Sequence, residues 1–288
     1  MRKNQTSMTA IGIAILRGIE SEKPAGERLC YDPYARQFVN PALYRLVRFF
    51  DKIGYSERKG PGVTGFLAVR ERHIDEFLQQ NLAEGVQQVV ILGAGLDARA
   101  YRFEALKSIK VFEVDHPASQ ASKIEKVRRV FGELPAHVTY VAVDFNTQTL
   151  AKRLPECSYD ETRRTLFIWQ GVTQYLTPEA VDSTLAFIAS HSATGSAVVF
   201  DYMYPTLLDG TVKRGEVANM RSRRWASGEA LVFGIPEGTV TEFLELRGFT
   251  DVQDADHEFL RATYLTGPNA GRTIAYGYAI ASAVVKAH

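Results

Sequence analysis

The chain has 288 residues and carries 34 Lys+Arg against 33 Asp+Glu, a formal charge of +1, with 45% apolar and 23% charged residues. This balance gives no global electrostatic reason to bind a nucleic-acid backbone or an anionic membrane, and the composition is globular rather than disordered or fibrous. Cys30 and Cys157 stand far apart, which excludes a disulfide framework and a cysteine zinc site and fits a reducing, cytoplasmic setting.

Residues 10–19 read as a short apolar helix, followed by a polar linker and the compact Tyr31-Asp32-Pro33-Tyr34. The apolar part, 10–16, is too short and too soon interrupted by Arg17 for a secretory signal, and no run of about 18 apolar residues predicts a membrane-spanning helix. A second amphipathic helix is predicted over 41–53, then a Gly/Pro-rich loop over 54–65, then a strong helix over 66–82. On a helical wheel Phe66, Arg70, His73, Ile74 and Phe77 share one stripe about 100° wide, which sets the Arg70 guanidinium on the apolar face.

From residue 86 strands and helices alternate. Strands are predicted at 86–92, 109–114, 137–143, 165–169 and 197–202, with helices at 97–107 and 117–131. Thr177-Pro178-Glu179 opens another helix. A long irregular stretch leads to a helix over 236–247, and strands near 250–254 and 273–284 end the pattern. Alternating β and α with apolar strands predicts an α/β, Rossmann-like fold, a mostly parallel sheet covered on both faces. The expected organisation is a helical cap or lid over 1–84 and a core over 85–288, with a substrate-binding insert near 203–233.

The sharpest motif is Val89-Val90-Ile91-Leu92-Gly93-Ala94-Gly95-Leu96-Asp97-Ala98, a buried strand running into a glycine turn and a helix. Asp115 follows Gly95 by 20 residues, at the end of the next strand, where a carboxylate can hold ribose hydroxyls. Gly93-x-Gly95-x-x-Ala98 also matches a dinucleotide fingerprint, but Asp97 would set a carboxylate where NAD places its pyrophosphate. S-adenosylmethionine (SAM) has no phosphate and a cationic methionine end, so an acidic turn suits it. Its carboxylate would also give the buried Arg70 a partner. Asp144-Phe145, ending the third strand, can take an adenine amino group and ring, and the fourth strand ends in Trp169-Gln170-Gly171-Val172-Thr173-Gln174-Tyr175 at the same edge.

Together these residues resemble the leucine carboxyl methyltransferase-like family of SAM-dependent methyltransferases, in particular its bacterial branch of small-molecule O-methyltransferases of polyketide-tailoring type. The resemblance runs through Asp32-Pro33-Tyr34-Ala35, Arg70-x-x-x-Ile74-Asp75, Leu92-Gly93-Ala94-Gly95-Leu96-Asp97-x-Arg99-x-Tyr101-Arg102, Glu113-x-Asp115-His116-Pro117, Asp144-Phe145 and Phe233-Gly234-Ile235-Pro236. It implies a class I methyltransferase sheet of seven strands. It also implies that Arg70 binds the SAM carboxylate, Gly93, Ala94 and Gly95 line the methionine part, Asp115 takes the ribose, and Asp144 with Phe145 frames the adenine. His116 would line the adenosine or cap the following helix. The family usually has Glu-Gly where this chain has Gln170-Gly171, so an amide replaces a charge toward the SAM ammonium.

A carboxylate acceptor needs no general base, whereas a phenol or alcohol does; His73, His116 and Tyr175 are the only candidate bases near the motifs. A small-molecule carboxylate is therefore the expected acceptor, gripped by Tyr175, Tyr202, Arg221, Arg224 and Trp225. The alternatives are a hydroxyl or protein-carboxylate methyltransferase, an NAD-dependent oxidoreductase and an idle SAM-binding protein. No metal, nucleic acid or membrane is expected as a partner.

Overall fold

In β1 (Gln88–Leu92), β4 (Thr165–Trp169) and β5 (Ala197–Met203) every residue is buried, the signature of strands covered on both faces. The computed structural model describes residues 8–144, 148–209 and 231–287. With β2 (Lys110–Asp115), β3 (Val138–Ala142), β6 (Phe249–Ala255) and β7 (Tyr278–Val285) these strands form one seven-stranded sheet. Its order is β3-β2-β1-β4-β5-β7-β6, parallel except that β7 runs antiparallel between β5 and β6.

Alternation along the strands sorts the core into two layers. Val89, Ile91, Leu166, Ile168 and Val199 pack with Ala14 and Ile15 of helix α1 (Met8–Ser21) and with Phe66, Val69, Ile74 and Leu78 of the long N-terminal helix Val63–Ala83. Val90, Leu92, Phe167, Trp169, Val198 and Phe200 pack on the other face with Val181, Leu185 and Ile188 of Pro178–Ser190. The N-terminal helices α1, α2 (Pro41–Lys52), α3 (Tyr55–Lys59) and α4 (Val63–Ala83) thus share a continuous core with the sheet. Among the described residues no helix is long and apolar enough to cross a membrane, and both cysteines are free.

Several elements differ from expectation. The helix predicted over 97–107 is only α5, Arg99–Arg102, because the chain is extended at Phe103 before a 3₁₀ turn at Glu104–Ser108. The last strand starts at Tyr278 rather than near 273, because the residues before it pack on the start of the helix Val63–Ala83: the Ala275 N–H donates to the Gly62 carbonyl at 2.9 Å. The helix predicted over 236–247 is confined to Val240–Glu245, the preceding residues forming a turn in which Thr239 donates to the Pro236 carbonyl. Short helices at Tyr55–Lys59, Leu150–Glu156 and His257–Tyr264 were not expected.

Gly65 marks the tightest seam between α4 and the segment that leads into β7. A Cβ there would lie 1.9 Å from the Thr273 carbonyl oxygen, whereas one at Gly12 of α1 would meet nothing within 4 Å. Gly65→Ala is therefore expected to cost about 2–3 kcal/mol in urea unfolding by forcing the seam apart. Gly12→Ala should be neutral or gain up to about 1 kcal/mol from helix propensity. Equal effects at the two positions would show that the seam gives way freely.

Candidate functional site

Parallel strands deliver their C-terminal ends to one edge of the sheet, and the strand order fixes what lies there: Asp144 after β3, Asp115 on β2, the glycine turn after β1, Gln170 and Gly171 after β4, and Asp201 on β5. Gly93 has φ 65°, Gly95 φ 45° and Gly171 φ 70°, all left-handed, so the turns need glycine. A Cβ on Gly93 would also meet the Val172 side chain at 2.3 Å.

The glycine turn is clamped by charged groups. Gly95 N–H donates to Asp115 Oδ2 at 2.6 Å, while His116 N–H donates to Asp115 Oδ1 at 2.6 Å. Burial pushes the Asp115 carboxyl above its ordinary value, and each oxygen keeps a second lone pair for an incoming hydroxyl. Lys123, paired with Glu113 at 2.7 Å, reaches the Ala94 carbonyl, and Arg17 of α1 donates to the Leu96 carbonyl. His116 caps the next helix, its Nδ1 accepting from Ala118 N–H.

Beneath the turn lies a buried lattice of charges. Arg99 is 0% exposed and donates to Asp97, to Asp75 at 2.7 Å and to Glu71 at 2.8 Å. Arg102 holds both oxygens of Asp75, and Arg17 bridges Asp32 at 3.1 Å and Glu71 at 3.4 Å. Against the upward push of burial, Arg99 and Arg17 hold the Glu71 carboxyl down at about 2 and Asp97 below the usual carboxylate range. Asp75 goes the other way, raised by burial despite Arg102 and Arg99.

This lattice corrects one expectation. Asp97 does not present a free carboxylate to a ligand cation: it is 7% exposed and its charge is already matched by the Arg99 guanidinium on Oδ2, with the Arg99 backbone N–H on Oδ1. Asp115, by contrast, is held by backbone N–H groups, without an ion pair among the described residues. The part of Asp97 is to shape the turn.

Arg70 is 2% exposed and donates through Nη1 to Asp201 Oδ2 at 2.6 Å, while its Nε and Nη2 have no hydrogen-bond partner. The other oxygen of Asp201 takes the Gly171 N–H at 2.5 Å, tying the β4 loop to Arg70. Gln170 Nε2 donates to Glu71 Oε1 at 2.5 Å, and its Oε1 is buried without a partner. Both leftover groups belong to the same corner of the sheet edge: a Cβ on Gly171, next in sequence to Gln170, would lie 3.4 Å from Arg70 Nη1 and 3.8 Å from Nη2.

Other expected residues fall elsewhere. Tyr202 is 1% exposed and donates to Asp254 on β6 at 2.8 Å, so it is wall rather than lining, a second correction. Tyr175 is half-buried in the 3₁₀ turn after β4, and His73 is tied to Tyr264 at 3.0 Å. Phe145, Arg221, Arg224 and Trp225 lie outside the described residues, as does most of the insert. Glu71, Arg17 and Asp201 were not expected. Asp201 had a signal, a lone carboxylate in the apolar run Val198-Val199-Phe200, whereas Glu71 sits in Arg70-Glu71-Arg72-His73, which reads as a solvated helix face. Among the described residues no group of His, Cys, Asp or Glu could hold a metal ion.

Comparison with known proteins gives a consistent picture. The profile of the family described as leucine carboxyl methyltransferase matches residues 10–189. A Bacillus subtilis protein named "Putative S-adenosyl-L-methionine-dependent methyltransferase YktD" is 30% identical over 269 residues, covering 86% of this chain and 88% of its own. A Mycobacterium sp. relative with the same description is 31% identical over 256 residues, 84% of this chain and 82% of its own. Among solved structures, a "putative methyltransferase" from Thermobifida fusca superposes with a TM-score of 0.57 at 15% identity, covering 96% and 95% of the two chains. A Streptomyces avermitilis protein of the duf574 family gives 0.54 at 12% identity, covering 99% and 98%. At such identities the structural likeness is one of fold.

The lattice should be read out by acid as well as by mutation. A carboxylate whose folded pKa is depressed contributes stability above its unfolded pKa and loses it as pH falls, so Glu71 gives up its share between about pH 4.5 and 2. Asp75 and Glu113, raised by burial, work in the opposite sense and blunt the transition. Arg99→Met takes a cation from three carboxylates and leaves Asp97 without an ion-pair partner among the described residues, so it should lower the unfolding free energy at pH 7 by about 3–5 kcal/mol and flatten the acid limb. Chemical denaturation from pH 2 to 7 measures both, and an acid limb unchanged in the variant would contradict the assignment.

Proposed function

The chain belongs to the leucine carboxyl methyltransferase family and is a SAM-dependent methyltransferase; from that premise we propose that it methylates a carboxylate oxygen of a small-molecule acceptor. One observation supports the placement of the cofactor: Nε and Nη2 of Arg70 and Oε1 of Gln170 are buried without partners, at one corner of the sheet edge where Gly171 meets the Arg70 guanidinium. Buried polar atoms without partners are rare, and a donor pair with an acceptor at one corner matches the carboxylate and ammonium of an α-amino acid. No dinucleotide carries that pair of groups at one end.

When bound, SAM supplies a methyl group already activated by its sulfonium, which an acceptor oxygen displaces in line. The protein's own work is to hold and to exclude. Arg70, anchored by Asp201, grips the carboxylate; Gln170 accepts from the ammonium; Gly93, Ala94 and Gly95 let the backbone approach; Asp115 receives the ribose hydroxyls. Asp144 is set for the adenine, with Phe145 next to it in sequence, and His116 borders the adenosine as the cap of its helix. Helices α1–α4 serve as the cap that keeps water from the amino-acid end. The insert near 203–233, with Arg221, Arg224 and Trp225, supplies acceptor contacts together with Tyr175.

The carboxylate reading rests on two supports. The family's description names a carboxyl acceptor. In addition, both histidines near the motifs are otherwise engaged, His73 with Tyr264 and His116 with its helix. A carboxylate is ionised at neutral pH, so positioning and water exclusion suffice.

Calorimetric titration with S-adenosylhomocysteine tests the cofactor assignment. Replacing Arg70 by Lys keeps the charge but loses the planar fork, and should weaken binding about 10–100-fold, the range of a lost charge-assisted hydrogen bond. Unchanged affinity would remove Arg70 from the site. With a carboxylic acid acceptor, kcat/KM should stay level from pH 6 to 9. A rate that climbs with pH would instead point to a hydroxyl acceptor and a general base.

A further inference from the structure

The Gln170 side chain is an amide at the sheet edge that could face the crevice either way. Its two ends are chemically opposite: Nε2 would repel a ligand ammonium and Oε1 would accept from it. The direction is set by what lies behind. Gln170 Nε2 sits 2.5 Å from Glu71 Oε1, and that oxygen also accepts from Arg17 Nη1 at 3.4 Å while Oε2 accepts from Arg99 at 2.8 Å. Turned over, the amide would press a carbonyl oxygen against this carboxylate. Glu71 is 1% exposed and stays ionised across the working range, since Arg99 and Arg17 hold its carboxyl at about 2.

We propose that Glu71 is a positioning residue of the cofactor site, fixing the Gln170 amide so that its oxygen meets the cofactor's ammonium while its own carboxylate provides the negative charge one residue behind. The charge that the family's usual Glu-Gly pair would carry at position 170 thus comes from helix α4. This inference rests on the methyltransferase reading. It explains why an amide belongs at position 170 in this chain: a glutamate there would face the Glu71 carboxylate at hydrogen-bond distance, and the pair could be accommodated only with a shared proton.

The groups around position 170 are Arg70 and Glu71 with Asp75 on α4, Arg17 on α1 with Asp32, Asp97 and Arg99 at the glycine turn, and Asp201 on β5. Each of the cations Arg17, Arg70 and Arg99 already has a carboxylate partner, and the donors that Arg70 keeps free are the ones assigned here to the cofactor's carboxylate.

The test is calorimetric binding of S-adenosylhomocysteine between pH 6 and 8 to the parent, Gln170→Glu and the double variant Glu71→Gln/Gln170→Glu, each checked for cooperative thermal unfolding. The parent should bind with little pH dependence. Gln170→Glu, although it restores the family's residue, should bind at least tenfold more weakly at pH 8 and recover as pH falls. The double variant, with charge and amide exchanged, should return to within a fewfold of the parent and lose the pH dependence. Gln170→Glu binding as tightly as the parent, or more tightly, at every pH overturns the proposal, and so does a folded double variant that shows no rescue. Should the double variant fail to fold, the pH profile of the single variant decides. A parent chain that does not bind S-adenosylhomocysteine at all would instead overturn the methyltransferase site itself.

Discussion

Arg99 has its guanidinium sealed from solvent among Asp97, Asp75 and Glu71, and the geometry of the crevice follows from satisfying that one cation. A buried charge is tolerated only when paired and hydrogen-bonded, so the three carboxylates must come to it from α4 and from the glycine turn. Asp97 thereby fixes the turn's exit, and Glu71 becomes a fixed anion at the back of the crevice. Arg17 extends the same lattice to α1, where it also takes the Leu96 carbonyl. Helix α1, the glycine turn and α4 are thus joined by charge as well as by apolar packing, and lifting α1 would strand Arg17 and its carboxylates together.

What remains after this lattice is satisfied is what the proposed cofactor site draws on. Arg70 spends one nitrogen on Asp201 and keeps two; Gln170 spends its nitrogen on Glu71 and keeps its oxygen. The leftover atoms are complementary to a zwitterion, and their supports are rigid because each anchor is itself held by a second group. Such preorganisation suits methyl transfer to an ionised acceptor, where the protein contributes alignment and dryness more than proton movement.

The sheet was legible because fully buried parallel strands leave unbroken apolar runs such as Val89-Val90-Ile91-Leu92, and the glycine turn was legible because only glycine serves its left-handed backbone. Arg70 stood out as a cation on an apolar stripe. Glu71 did not, because buried acids on a helix look like surface acids until the partner cations are brought in from residues 17 and 99, far away in sequence. Periodicity extends the helix after the turn from 97 to 107, whereas Asp97 and Ala98 belong to the turn and the extended backbone at Phe103 ends the helix at Arg102. Tyr202 reads as lining from its place at a strand end, yet its hydroxyl reaches across β7 to Asp254 on β6. The short helices at Leu150–Glu156 and His257–Tyr264 carry too few turns to show a periodic face.

The most direct test of this account is a crystal structure with S-adenosylhomocysteine bound. It should place the ligand's carboxylate within hydrogen-bond distance of Arg70 Nε or Nη2 and its amino group against Gln170 Oε1, with Asp97 still held by Arg99. An amino-acid end seated anywhere else, or an Asp97 that leaves Arg99 to meet the ligand, would contradict it.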